Sequence, residues 1–321
     1  MRRLTKKRVL LLFRLAVALT VLICLIYTLK SAFGQLAVAE FKLSQLRFEP
    51  LLLALLCYIT AMTLSGLFWY RVLLATGNRL TLRRTMLAFF ASQFGKYIPG
   101  KAMVVVIRTD LVRGSGVQIS TAAATVFVET LTWIFVGSAI ASLLLASHFQ
   151  NFPLLQIGAG VMMLTAGVMT WPPLFRRVAS RFLANSITQD PMAGLTLSVM
   201  LSGWALMTVG WLLNGLSLWF VTASLTGAGV MEAGFQLSDY QLCLACVSLA
   251  TVAGFVSLLP GGLGVRELVM IPILGSGIGR VNAVVAAILI RFVWLASELI
   301  TSGIIYGYTK LITRPEDLDP S

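Results

Sequence analysis

The chain has 321 residues, of which 58% are hydrophobic and 12% charged, with a mean hydropathy of +0.90 and a formal net charge of +13. A soluble domain carries about 25% charged residues, so this composition excludes a soluble globular protein and marks an integral membrane protein. Four cysteines, all in apolar stretches, exclude a disulfide scaffold.

The chain opens with MRRLTKKRVLLLFRLAVALTVLICLIYTL. A basic head precedes an apolar run of about 20 residues, and no small-residue cleavage site follows. This predicts a first membrane helix over 9–29 that is retained. A second span is expected over 50–74, opened by Glu49-Pro50, because proline is tolerated in the first helical turn.

Residues 85–112 read differently. Two apolar arms of about 10–14 residues, each too short to cross alone, meet at Tyr97-Ile98-Pro99-Gly100. Proline and glycine cannot continue a helix there. The pattern predicts a re-entrant hairpin that enters and leaves the membrane by one face. Spans over 119–147, 154–171 and 196–224 follow, the last with Asp190-Pro191 just ahead of it. Within it, Asn214 and Ser217 read as interhelical hydrogen-bonding residues. Trp69, Tyr70, Trp171 and Trp211 include candidates for interfacial anchors, with no function assigned to them.

Residues 238–279 repeat the broken pattern. Ser238-x-x-Gln241 resembles a capping box, and the arms meet at Leu259-Pro260-Gly261-Gly262. The first arm is about 20 residues, so a true crossing stays open beside re-entrance. A last span is expected over 281–309. The expected fold is an all-α polytopic membrane protein, a single transmembrane domain over 1–321. It has six full spans and two Pro-Gly-broken re-entrant hairpins, or eight spans if the hairpin arms cross.

With both hairpins non-crossing and the N-terminus inside, sixteen Lys and Arg fall on the side carrying both termini. Only Lys30, Lys42, Arg47 and Arg280 fall on the other. This is the positive-inside bias, and it explains most of the net charge without a nucleic acid partner. Both termini are therefore expected in the cytoplasm.

A shift of 161 residues aligns the two broken regions without a gap. Phe94, Pro99, Gly100, Val104, Gly114, Ser115, Gly116, Ala122 and Trp133 meet Phe255, Pro260, Gly261, Val265, Gly275, Ser276, Gly277, Ala283 and Trp294. The expected repeat units are 85–147 and 238–309. Three intervening spans would turn the second unit upside down, an inverted repeat suited to alternating access.

The breaks carry the chemistry. A helix restarting after each Pro-Gly exposes unpaired amides and a partial positive charge, and Gly261, Gly262 and Gly264 let a backbone approach closely. Lys101, Arg108 and Arg266 add cations, so an anionic, phosphate-bearing group is the expected guest. Glu129, Arg291 and Glu298 lie inside spans, where charges need partners. Glu129 and Arg291 are expected to face each other or a cavity, and Glu267 to pair with a basic neighbour. Glu129 and Glu298 are also candidates for proton coupling. Lys96 and Lys101 can alternatively snorkel to the interface. Cys243-Leu-Ala-Cys246 has metal-site spacing but no histidine or second pair, and the single His148 sits in a polar loop, so no metal site or cofactor is expected.

"QFGKYIPGK" followed by Arg108 and Glu129, then "LLPGGLGVRE" followed by Arg291, resembles the flippase-like membrane family that includes the transmembrane region of lysylphosphatidylglycerol synthases. The resemblance covers roughly 10–312. It implies a bacterial or archaeal inner-membrane protein that handles polar lipids. Only "KLITRPEDLDPS" follows residue 309, so no aminoacyl-transferase domain is expected, and a separate lipid-synthesising enzyme would supply a lysyl-lipid. The leading expectation is a non-enzymatic lipid translocase for an anionic headgroup. The alternative is a non-transporting accessory subunit for an envelope glycosyltransferase or lipid-modifying enzyme. An intramembrane enzyme lacks any nucleophile, acid pair or metal-ligand constellation in the sequence, and oligomeric state is not encoded.

Overall fold

The computed structural model describes residues 46–97, 102–113, 115–148, 153–183, 192–225, 234–257, 259–262 and 264–312. The predicted span at 9–29 and the residues Pro99, Gly100 and Lys101 lie outside them, as do Asp190 and Pro191. Among the described residues, all ten elements longer than a turn are α-helices, and seven candidate spans are long and apolar enough to cross a membrane. The chain is an all-α multi-pass membrane protein.

In order, α1 is Phe48–Ala75, α2 Leu82–Ser92, α3 Ala102–Arg113, α4 Ile119–His148 and α5 Pro153–Thr170. Then come α6 Pro172–Leu183, α7 Leu197–Ala223, α8 Leu237–Val256, α9 Val265–Ile278 and α10 Arg280–Ile312. Short 3₁₀ turns, Gln93–Tyr97 and Pro260–Gly262, follow α2 and precede α9.

Local chemistry accounts for the helix ends and for the polar residues inside the spans. Thr81 and Thr196 cap α2 and α7, their hydroxyls accepting from Arg84 and Val199 amides at 3.3 and 3.4 Å. Within the spans, Thr60, Thr63 and Ser138 donate back to carbonyls one turn earlier, which satisfies the hydroxyls without water. The capping box expected at Ser238 does not operate: α8 begins at Leu237, with Gln236 at its N-cap and no side-chain cap bond.

Small residues let the helices approach. Gly203 of α7 lies against the Phe68 ring of α1, so closely that an added Cβ would be 2.2 Å from it. Gly194 sits on the Ala75 carbonyl, and Gly137 of α4 on the Trp211 indole. Without a hydrophobic driving force in lipid, such close packing is the main attraction between spans. Trp69 and Trp211, candidates for interfacial anchors, are instead fully buried, and their indole N–H groups donate to Thr125 Oγ1 and the Trp133 carbonyl, each at 3.0 Å. Trp171 is half-exposed. Ser217 does bridge helices, donating to the Ala54 carbonyl at 2.8 Å, whereas Asn214 bonds Gly210 within its own helix.

The two broken regions differ in arm length. The first has arms of 11 and 12 residues, each shorter than a span. In the second, α8 has 20 residues and Pro260–Ile278 has 19, both long enough to cross. Each region nevertheless folds back on itself. The Arg84 guanidinium, at the start of α2, donates to the Leu111 carbonyl near the end of α3 at 3.4 Å. Gly277, near the end of α9, packs on Leu242, near the start of α8.

The folded-back ends lie at opposite ends of the bundle. Arg83 of α2 stacks on Tyr308 near the end of α10. The α7 start lies by the α1 C-terminus, where Gly194 meets Ala75. At the other end the Arg47 amide at the head of α1 donates to the Ser224 carbonyl at the foot of α7. The breaks meet between: an added Cβ on Gly261 would be 3.2 Å from the Tyr97 ring. α4 and α10 also begin at the same 161-residue offset that aligned the sequence, at Ile119 and Arg280.

Candidate functional site

Three ion pairs among the described residues organise the charged side chains. Arg108 of α3 is buried and reaches Glu129 of α4 at 2.7 Å, while its Nε donates to Ser92 Oγ at 2.8 Å. The guanidinium also stacks on Phe89 and Trp69, at 4.3 and 5.0 Å from their ring centroids. Ser65 of α1 donates to the other oxygen of Glu129 at 2.5 Å. The charge is thus held in a low-dielectric interior by hydrogen bonds on both sides and by two aromatic faces.

The second pair has the reverse polarity. Arg291 of α10 meets Glu267 of α9 at 2.7 Å, and its Nη2 donates to the Gly262 carbonyl at 3.1 Å. Each broken region is therefore fastened by its second arm to the long helix that follows. In the first the arm carries the cation; in the second it carries the anion.

Glu129 and Arg291 consequently do not face each other, which removes the first of the two arrangements expected from sequence, facing each other or facing a cavity. Each has a nearer partner on the preceding arm, because an arm packed along the following helix brings opposite charges within reach. Glu267 has the basic neighbour expected of it.

The third pair crosses between the regions. Lys96, in the first 3₁₀ turn, pairs with Glu298 of α10. Glu298 is fully buried and also accepts from Tyr58 Oη at 2.8 Å and Tyr97 Oη at 3.1 Å. With three donors on its two oxygens, Glu298 has little room for a further ligand. Lys96 points inward to this carboxylate and does not snorkel to the interface.

Arg266 is the exception among the expected cations. It makes no salt bridge among the described residues, and its Nε is buried with no hydrogen-bond partner. Gly254 and Gly262 flank it, since an added Cβ on either would come within 3 Å of the side chain. Its guanidinium lies over Trp294, 4.8 Å from the ring centroid, and the Trp294 indole N–H is also buried without a partner. Trp294 in turn stacks on Tyr58 at 5.6 Å. Two unsatisfied buried donors beside the start of α9 form a place where an acceptor-rich group would relieve a desolvation cost. Gly264, at the α9 N-cap, has φ +78° and no side chain to obstruct the first-turn amides.

The structure thus brings Arg266, Arg291, Glu267 and Glu298 to one neighbourhood with Pro260, Gly261 and Gly262, and sets Arg108 and Glu129 in another. Lys96, Tyr97, Tyr58 and Trp294 were not singled out as site residues from sequence. Lys96, Tyr97 and Trp294 lie in the aligned segments that carried the repeat; Tyr58 carried no signal in an otherwise apolar span. The cysteines of the CxxC spacing are buried thiols: Cys246 Sγ donates to the Met270 carbonyl at 3.8 Å, and Cys243 lies 4.0 Å from Thr222 Oγ1. No group of three potential metal ligands occurs among the described residues.

A search of curated proteins returned no match. The model of the family described as lysylphosphatidylglycerol synthase TM region matches residues 11–300. That match covers most of the chain and takes in both breaks and all three ion pairs. The chain belongs to this family of lipid-related membrane proteins.

Proposed function

We propose that this chain is a lipid translocase of the bacterial inner membrane, with both termini cytoplasmic, that moves a phosphate-bearing polar lipid between leaflets without acting as an enzyme. The observation that carries the reading is Arg266, a half-buried arginine whose Nε is buried without a hydrogen-bond partner, where the two broken regions touch. A phosphate oxygen is the matching acceptor, since guanidinium binds it through directed N–H bonds, and the α9 N-terminus adds positive potential.

The mechanism follows from what the residues can do. The headgroup enters laterally and exchanges water for Arg266, the Trp294 indole and the first amides of α9, while the acyl chains remain in lipid. The Tyr97–Gly261 contact and the Lys96–Glu298 pair join the two units and act as the gate. The units form an inverted repeat, so opening on one side and closing on the other are related by symmetry. Arg108–Glu129 and Arg291–Glu267 hold each unit rigid while it moves.

The test is reconstitution in sealed vesicles with a fluorescent phosphatidylglycerol analogue, followed by chemical quenching of the outer leaflet. Wild type is expected to expose the inner-leaflet dye, Arg266→Gln to lose most of that activity, and Arg266→Lys to keep part of it. Equal activity in wild type and Arg266→Gln would overturn the role of Arg266. A well-folded wild type that leaves the inner leaflet protected would overturn translocation and favour an accessory subunit.

A further inference from the structure

We propose that a second, separate site at the Arg-rich end of the bundle holds the headgroup of an anionic phospholipid: the groove between α6 and the start of α7. It does not depend on the translocase reading, because it lies at a membrane-end turn and shares no residue with the Arg266 neighbourhood.

α6 begins after α5 ends at Thr170, and α7 starts at Leu197. Both neighbours are candidate spans, so α6 lies where the apolar thickness ends. It is amphipathic. Phe175 and Ala179 are buried against Met192 and Leu195. Pro173, Arg176, Arg177 and Ser180 recur at the spacing of one helical face and line a groove of about 630 Å³. Trp171 and Pro172, and Leu195, Thr196 and Leu197 at the start of α7, complete its lining.

Three features select the occupant. Two arginines line the groove beside Ser180, whose hydroxyl donates to the Arg177 carbonyl at 2.9 Å, and none of its described lining residues is acidic. The N-terminus of α7, a 27-residue helix, belongs to the same lining, which adds partial positive charge. Trp171 and Leu197 at the rim are 50% and 44% exposed, an apolar lip suited to the upper acyl chain rather than to a free anion. A volume in the range of ligand sites, a cationic floor and an apolar lip at membrane-end height fit one diacylglycerol phosphate headgroup.

The experiment is native mass spectrometry of the full chain in mild detergent, titrated with dioleoyl phosphatidylglycerol against dioleoyl phosphatidylcholine. Wild type is expected to prefer phosphatidylglycerol. An Arg177→Glu, Ser180→Ala double variant should lose about fivefold or more of that preference, since each cation near a membrane surface is worth about one such factor. Arg79→Glu, an exposed charge reversal outside the groove, should retain it. An unchanged preference in the double variant overturns the proposal, as does an equal loss in Arg79→Glu, which would mean diffuse surface charge. Displacement of the lipid by excess inorganic phosphate would make this a free-anion site and overturn the lipid assignment. Should the double variant misfold, a phosphatidylglycerol bearing a headgroup diazirine decides on wild type: labels must map to Trp171–Ser180 or Leu195–Leu197, and labelling confined elsewhere overturns it.

Discussion

Lys96 and Glu298 form an ion pair across 202 positions of sequence, tying the turn of the first broken region to the last helix. Glu298 is fully buried and Lys96 is mostly so. Removing one partner leaves the other charge in an interior that cannot solvate it. Lys96→Met is expected to lower stability by about 3 kcal/mol, and Glu298→Gln by a similar amount. The double variant should lose clearly less than the sum, because neither charge is then stranded. Denaturation of the detergent-solubilised protein in a double-mutant cycle checks this; additive losses would remove the coupling.

Arg108 should not tolerate lysine. Its fork reaches Ser92 and Glu129 together while its plane stacks on Phe89 and Trp69. A lysine ammonium reproduces the charge but neither the second directed bond nor the stacking. Arg108→Ala is expected to cost about 3–5 kcal/mol, the range for breaking a buried pair. Arg108→Lys should fall between alanine and wild type. Thermal unfolding of the three proteins measures the order, and a lysine variant as stable as wild type would contradict it.

Glycines 261 and 264 separate backbone strain from contact. Both have positive φ, +58° and +78°, so alanine at either costs about 1–2 kcal/mol. An added Cβ meets the Tyr97 ring at Gly261 but open space at Gly264. Gly261→Ala should therefore push the two turns apart, and Gly264→Ala should not. Cross-linking between cysteines introduced beside Tyr97 and beside Gly261 should drop in the first variant only. An equal drop in both would show that conformation, not contact, governs the junction.

The α1–α7 seam offers a rescue test. Gly203→Ala places a methyl 2.2 Å from the fully buried Phe68 ring, so the ring or the helix must move. Overpacking of this kind costs about 1–3 kcal/mol. Pairing it with Phe68→Leu should recover part of the loss by clearing that space. A double variant less stable than either single would refute the steric explanation.

Much of this architecture was legible in the sequence. Five of the expected spans lie within described residues, and the helices found there end within a few positions of those expected. Hydropathy over a bilayer thickness is a local quantity, so a window of residues determines it. The breaks were legible for the same reason: Pro260, Gly261 and Gly262 disallow a continuous helix whatever surrounds them. The tertiary structure decided which charges meet. Glu129 and Arg291 occupy almost equivalent repeat positions and looked like partners, yet each is claimed by the arm packed beside it, Arg108 in one unit and Glu267 in the other. Trp69 and Trp211 were candidates for interfacial anchors until close helix packing enclosed them. Pairing depends on separations of a few ångströms between segments far apart in the chain, and side-chain burial depends on which helix face a neighbour covers. Neither is encoded in local composition, so the spans and breaks followed from sequence, while Lys96–Glu298 and the unpartnered Nε of Arg266 emerged only when the helices were assembled.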